Sequence, residues 1–145
     1  QAAALDLPPI VEAAREEIGN EGGEKYWRWY GFAHRVEWCA CFVSWCANEC
    51  GYIDSGTLPK FSLCDKRWLK EEGMWRESEP AAGDLIFFDW IRDGVQDGVI
   101  DHVGIVEEVR EGKIYTIEGN CNDAVQRQTY DSEDEQIVGY ARPNP

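Results

Sequence analysis

The chain has 145 residues, enough for one domain with a core of its own, and 43% of them are hydrophobic, with a surplus of Trp. Twenty-eight acidic residues against fourteen basic ones set a formal charge of −14, which repels phosphate backbones and anionic lipid and so excludes nucleic-acid and membrane-surface binding as primary roles. No run of about 18 apolar residues occurs, so no membrane-spanning helix is expected.

An opening helix is predicted over 8–18: Pro8 and Pro9 suit its first turn, Ile10, Val11, Ala14 and Ile18 share one face, and Gly19, Gly22 and Gly23 end it. Tyr26, Trp27, Trp29 and Tyr30 follow as an aromatic cluster that belongs either to the core or to the wall of a groove. Over 36–51, Cys39, Phe42, Val43, Cys46, Ala47 and Cys50 recur at three- and four-residue spacing, a second helix with Cys39 at the amino end of its apolar stripe. A short third helix is expected over 62–72, where Leu63, Trp68 and Leu69 fall near one face before Gly73.

Beyond Pro80 the pattern changes to strands. Residues 84–90 contain the buried run Leu85-Ile86-Phe87-Phe88, and 94–98 is a turn-rich loop. Two β-rich runs, 102–109 and 113–118, flank Arg110-Glu111-Gly112 as a hairpin, and a last strand is expected over 137–142. Residues 131–135 read as an acidic surface turn. Helices first and antiparallel strands after is an α+β layer arrangement in a single domain.

Six cysteines stand at 39, 41, 46, 50, 64 and 121. Four of them lie in one predicted helix, where i,i+4 Cβ atoms are about 5–6 Å apart against about 3.8 Å in a disulfide, so they do not pair with one another. Cys64 and Cys121 are too scattered to complete a zinc ligand set. Five are therefore read as small buried or neutral residues and one as reactive.

A cysteine nucleophile needs a thiolate, a base within hydrogen-bond reach, and a group that orients the base. Cys39 opens a helix, where free N–H groups and the dipole favour a thiolate. That effect is at most about 2 kcal/mol, less than a strongly activated thiol requires, so a cationic partner must supply the rest. Of the two histidines, His34 lies in a loop close before Cys39, while His102 opens a strand beside the buried helix; His102 is the expected base. The third group should come from the hairpin partner strand, where Glu118 and Asn120 would share a face and either would accept the Nδ1–H proton.

The run Glu37-Trp38-Cys39-Ala40-Cys41-Phe42-Val43-Ser44-Trp45-Cys46-Ala47, the turn Pro80-Ala81-Ala82-Gly83-Asp84-Leu85-Ile86-Phe87-Phe88, and then Asp101-His102-Val103-Gly104-Ile105-Val106 and Ile117-Glu118-Gly119-Asn120 resemble the CHAP family. These are cysteine, histidine-dependent amidohydrolases/peptidases within the NlpC/P60-like, papain-like set. The resemblance covers about residues 26–140. It implies Cys39 as nucleophile, His102 as base and Glu118 with Asn120 as polar partners, on a papain-like α+β fold. It further implies peptidoglycan as substrate, cut within stem peptides and cross-bridges or at the bond between N-acetylmuramic acid and L-alanine. Trp38, Tyr30, Trp29 and His34 are the candidate substrate-binding side chains. The location implied is extracellular, at the cell wall, or on a phage-borne lysin.

Some members carry an Asp-rich calcium loop just before the nucleophile, but Gly31-Phe32-Ala33-His34-Arg35-Val36 has no carboxylate. No metal and no cofactor are therefore expected. Cys41 lies on a different helix face from Cys39 and is expected to be inert. Cys121 is read as neutral, with an oxidised link to Cys39 as the alternative. The negative charge argues against adsorption to an anionic wall, so the domain is expected to be a monomer cut from a longer protein whose separate wall-targeting or virion part does the targeting. Two rivals remain: an amidase or peptidase of the same chemistry on a non-wall substrate, and a non-catalytic glycan- or peptide-binding module that keeps the fold.

Overall fold

The computed structural model describes residues 7–144. Four helices, α1 (Pro9–Arg15), α2 (Glu24–Tyr30), α3 (Cys39–Glu49) and α4 (Lys66–Glu71), precede six strands: β1 (Trp75–Arg76), β2 (Leu85–Phe88), β3 (His102–Arg110), β4 (Lys113–Cys121), β5 (Ala124–Asp131) and β6 (Ile137–Ala141). The strands form one antiparallel sheet in the order β1-β6-β2-β3-β4-β5. This is the expected α+β arrangement, helices first. No helix of the described residues is long and apolar enough to cross a membrane.

The sheet sorts its side chains by the two-residue period of a strand. Leu85, Phe87, Val103, Ile105, Ile117, Val125 and Ala141 face the helices and join the main core. On the other face Ile86, Phe88, Val106, Ile114 and Tyr140 make a second, smaller cluster, closed by Trp90, Tyr130 and Ile137. Because both faces are covered, β2 is buried along its whole length, which is why it reads as an unbroken apolar run.

Helix α3 is the axis of the first layer, packed on α1, α2, β3 and β4. Its Cys39, Cys41, Phe42, Val43, Ser44, Cys46 and Ala47 are all buried. The approach to β4 is close because Gly119 has no side chain: a Cβ there would stand 2.5 Å from the Cβ of Phe42. Where the sequence reading starts this helix near residue 36, it begins at Cys39. Residues 35–38 are instead tied to the β4–β5 turn, with Arg35 donating to Asp123 at 2.7 Å and the Trp38 indole to the same carboxylate at 3.1 Å.

Three elements lie outside the sequence expectations, the two-residue strand β1 among them. Helix α2 organises the aromatic cluster, sending Tyr26 and Trp27 into the core and leaving Trp29 and Tyr30 half-buried. Strand β5 is an edge strand buried only at Ala124 and Val125, after which half-buried and exposed positions alternate through polar residues. Such a strand carries little apolar signal. The β3–β4 hairpin turns at Glu111 and Gly112, both at positive φ (53° and 77°), as a two-residue turn of the primed type requires.

A bulge in β3 adds one structural tie. The pairing steps from Val106 opposite Thr116 to Glu108 opposite Tyr115, leaving Glu107 as the extra residue. Its buried carboxylate receives Arg127 of β5 through two nitrogens, at 2.8 and 2.9 Å, and Arg15 of α1 at 2.6 Å. The Arg127 hydrogen bond, then that of Arg15, outweighs desolvation and holds Glu107 below the usual carboxylate range. A depressed carboxylate stabilises the fold above its unfolded value of about 4.3, and that contribution is lost as pH falls through the folded value. Both guanidinium groups are half-exposed, which limits the effect. Urea denaturation of Glu107→Gln should therefore show a loss of about 1–2 kcal/mol at pH 7, with parent and variant converging as acid protonates the folded carboxylate.

Candidate active site

Cys39, His102 and Glu118 come from three elements that the fold brings to one end of the sheet. Cys39 is the first residue of α3, and Trp38 before it offers no side-chain cap. The first N–H groups of that helix have no intrahelical acceptor and point past the thiol. His102 is the first residue of β3, paired with Phe88, and its ring lies 5.8 Å from the ring of Phe88 and 5.6 Å from that of Trp90. These neighbours bury the imidazole to 8% exposure.

The two sides of the imidazole have different partners. Nε2 meets Glu118 Oε1 at 2.9 Å, and the Cys39 thiol lies near enough to the ring to act on its charge. The carboxylate thus meets Nε2, where the sequence reading has it accept from Nδ1. Burial alone would lower the pKa of His102; the hydrogen bonds to Cys39 and Glu118, and their charges, overcome it and push the group up to about 10. An imidazolium between a sulfur and a carboxylate is the state this arrangement favours at neutral pH.

Glu118 is itself held. Its Oε2 accepts from Thr116 at 2.6 Å and from Tyr130 at 2.8 Å, while Oε1 serves His102. At 1% exposure the carboxylate has traded water for these three donors. It lies across β3 at Gly104, where a Cβ would stand 2.8 Å from Glu118 Cγ, so this strand position has room for Glu118 only as glycine. Gly104, Thr116 and Tyr130 are positions around Glu118 that sequence reasoning did not single out. Thr116 sits two residues before Glu118, a spacing that signals a shared face, whereas Tyr130 belongs to the strand that went unread.

Asn120 does not join them. The β4–β5 pairing shifts between Glu118 and Cys121, and Asn120 adopts φ 60°, so the alternation that would place it on the face of Glu118 is broken. Its amide donates to Glu37 at 2.8 Å and accepts from Arg35 at 3.1 Å, bracing the segment before α3.

A cleft of about 270 Å³ opens beside the thiol, lined by Tyr30, Phe32, Glu37, Cys39, Leu63 and neighbouring residues. Tyr30 is on this wall as expected, stacked on Phe32 at 5.5 Å and anchored by its hydroxyl to the Phe61 carbonyl at 3.0 Å. The other three substrate-binding candidates are placed elsewhere. Trp38 is fully buried and stacks on Tyr26 at 5.4 Å, a core residue and no groove wall. Trp29 packs under the Lys60 ammonium, 4.7 Å from the ring, outside the cleft lining. His34 is exposed on the loop before α3 and does not line the cleft. Phe32 and Leu63 were missed as cleft residues: Phe32 sits in a loop with no periodicity to mark it, and Leu63, read as part of a helix over 62–72, lies before that helix begins at Lys66.

All six cysteines are free thiols. Cys41 lines the cleft with Cys39, contrary to the expected separation of faces, but burial, with the charge of Cys39, pushes its thiol up to about 11. Burial likewise raises Cys46 well above the ordinary thiol value. The Cys121 sulfur accepts from Gln128 at 2.7 Å.

Among solved structures, two of Ly7917 are similar in fold. One, "with the hydrolyzing product of MDP", has a TM-score of 0.59 at 18% identity over 93% of this chain and 62% of that one. The other has a TM-score of 0.57 at 17% identity over 93% and 61%. A Staphylococcus aureus protein described as similar to lipoprotein of the NLP/P60 family follows, with a TM-score of 0.52 at 18% identity over 94% of this chain and 41% of that one. The present chain thus spans about three-fifths of the Ly7917 chains, and these likenesses establish a papain-like fold of the NlpC/P60 kind. No curated protein matches by sequence. The CHAP domain model matches residues 29–120, more than half of the chain and the whole stretch from the cleft through Cys39 and His102 to Glu118, and the chain therefore belongs to the CHAP domain family.

Proposed function

We propose that this CHAP domain is a peptidoglycan hydrolase that cuts an amide bond of the bacterial cell wall by thiol acyl transfer, acting outside the cytoplasm as a wall enzyme or a phage-borne lysin. The observation that carries the reading is the line of Cys39, His102 and Glu118: the thiol acts on the charge of the imidazole, whose Nε2 stands 2.9 Å from Glu118, and Cys39 lines a cleft. Binding alone requires no such line. Family membership and the Ly7917 structure with a hydrolysis product support a wall-derived substrate. Stem-peptide or cross-bridge cleavage and N-acetylmuramoyl-L-alanine amidase action are both compatible with this chemistry.

In the proposed reaction the Cys39 thiolate attacks the amide carbonyl, and the oxyanion is met by N–H groups at the start of α3, the Cys39 N–H among them. The His102 imidazolium gives its Nδ1 proton to the leaving amine, the C–N bond breaks, and a thioester remains on Cys39. His102, now neutral, takes a proton from water as the hydroxide adds to the thioester. Collapse releases the carboxylic acid product and restores the thiolate–imidazolium pair. Glu118 touches no substrate atom in this scheme; it orients the ring and favours its charged form.

A domain of charge −14 gains nothing from a polyanionic wall, so targeting is assigned to another part of a longer protein, with this domain monomeric. Cys39→Ala should abolish lysis of purified cell walls while leaving the circular dichroism unchanged, and His102→Ala should lower the rate by about 10³-fold or more. Retained lysis by the Cys39 variant would refute the assignment. Mass spectrometry of the digest separates the two bonds: new amino termini within stem peptides or bridges mark an endopeptidase, and free L-alanine amino termini an amidase.

The charge on His102 also has a direction in pH. Its folded value lies above the unfolded value of about 6.5, so the stabilisation from the imidazolium is complete below that pH and is lost as pH rises through about 10. Glu118→Gln should move the alkaline limb of the kcat/KM profile to lower pH and lower the rate by about 10–100-fold, less than His102→Ala does. An alkaline limb that stays in place would remove Glu118 from the charge balance.

A further inference from the structure

The loop between β2 and β3 carries a second constellation that the proposed catalysis does not use. One carboxylate oxygen from each of Asp89, Asp97 and Asp101 lies within 4.8 Å of those of the other two. Asp89 is only 5% exposed, and its Oδ1 is buried with no hydrogen-bond partner among the described residues. Its Oδ2 accepts the Gly98 N–H at 2.9 Å. Asp97 Oδ1 accepts from Val99 at 2.9 Å, and Asp101 Oδ2 from the Trp90 N–H at 2.8 Å. Each carboxylate is thus held through one oxygen by the loop backbone; the second oxygen of Asp101 takes only a long contact from Arg92, and that of Asp89 is unpaired among the described residues.

Little positive charge faces this group. Among the described residues the one ion pair made by any of the three joins Arg92 to Asp101 at 3.5 Å, from a side chain that is 67% exposed. A buried carboxylate beside two others, with an unsatisfied oxygen, is a costly arrangement for the bare protein. It is an ordinary arrangement around a hard cation.

We propose that Asp89, Asp97 and Asp101 form a calcium site that clamps the β2–β3 loop immediately before His102. Calcium takes oxygen ligands at about 2.3–2.6 Å, so oxygens on opposite sides of one ion stand about 4.6–5.2 Å apart, and the observed spacing falls within that reach. Calcium tolerates irregular coordination of six to eight oxygens, whereas magnesium requires near-ideal octahedral geometry. The exposed side at Asp97 leaves room for water to complete the sphere. This site is distinct from the carboxylate-free segment 31–36 considered before Cys39. Its link to the candidate active site is covalent and short: Asp101 precedes His102, and Asp89 is bonded to Trp90, whose ring flanks the imidazole.

Terbium luminescence tests the proposal without any assay of activity, since Trp90 beside Asp89 is a built-in sensitiser. Chelator-treated protein excited at its tryptophans should show saturable Tb³⁺ emission that CaCl₂ displaces, with a Ca²⁺ dissociation constant on the order of 10⁻⁴ M, as in extracellular modules. Ca²⁺ should also raise the melting temperature, and MgCl₂ should do so less. In Asp97→Asn the affinity should fall by about tenfold or more, because affinity follows ligand charge. Asp89→Asn should melt at or above the parent without divalent ions, having lost a buried charge from the cluster, and should not respond to Ca²⁺. Absence of saturable binding up to about 10 mM, or binding unchanged in both variants, would overturn the site. A Mg²⁺ response equal to that of Ca²⁺ would overturn the choice of ion.

Discussion

The site depends on one buried contact, the carboxylate of Glu118 against Nε2 of His102. A histidine sealed between Phe88 and Trp90 would by itself lose its proton, because burial penalises the charged ring. Glu118 on Nε2 and the nearby Cys39 sulfur reverse that balance. The carboxylate can do this only because it is fixed: Thr116 and Tyr130 occupy its second oxygen, and Gly104 gives it space over β3. Three strand positions thus serve one side chain, and the proposed chemistry of the thiol rests on that arrangement.

The second requirement is distance, and α3 meets it by packing rather than by its own geometry. Phe42 presses on the bare backbone of Gly119, which brings the amino end of the helix toward the end of the sheet where β3 begins. Trp38, fully buried and tied to Asp123, closes the segment that leads into Cys39. Arg35 and Asn120 brace the same segment from outside. Trp38 and Arg35 therefore serve mainly to hold the start of the helix, while the cleft wall combines Glu37 and Cys41 beside the thiol with Tyr30, Phe32 and Leu63 from other segments.

The excess of negative charge is not spread evenly in its consequences. Glu107, Asp84 and Glu118 are buried and answered by guanidinium groups or hydrogen-bond donors, so they organise the fold. Asp84, for example, receives Arg142 through two nitrogens, at 2.9 and 3.0 Å. Among the described residues the carboxylates of the β2–β3 loop have exposed Arg92 as their one cationic partner and an Asp89 oxygen with no donor, and that contrast sets them apart from the rest of the acidic surface.

The sequence by itself determined the order of layers, the helix that begins at Cys39, the strand that begins at His102 and the hairpin that returns Glu118, because each rests on local periodicity or on turn residues such as Glu111-Gly112. It also limited the base to one of two histidines and placed Glu118 on the neighbouring strand. Only the tertiary structure decided which nitrogen the carboxylate meets, that Asn120 turns away after a shift in strand pairing, and that Trp38 belongs to the core. Those outcomes depend on a register shift and on packing between residues far apart in the chain, which leave no mark in a periodic pattern. Strand β5 escaped notice for a related reason: at the sheet edge its buried residues are two, and the Tyr130 that holds Glu118 sits in an otherwise polar run. The cleft was equally hidden, since Phe32 and Leu63 meet Cys39 only after α2 and the loop before α4 have folded against α3.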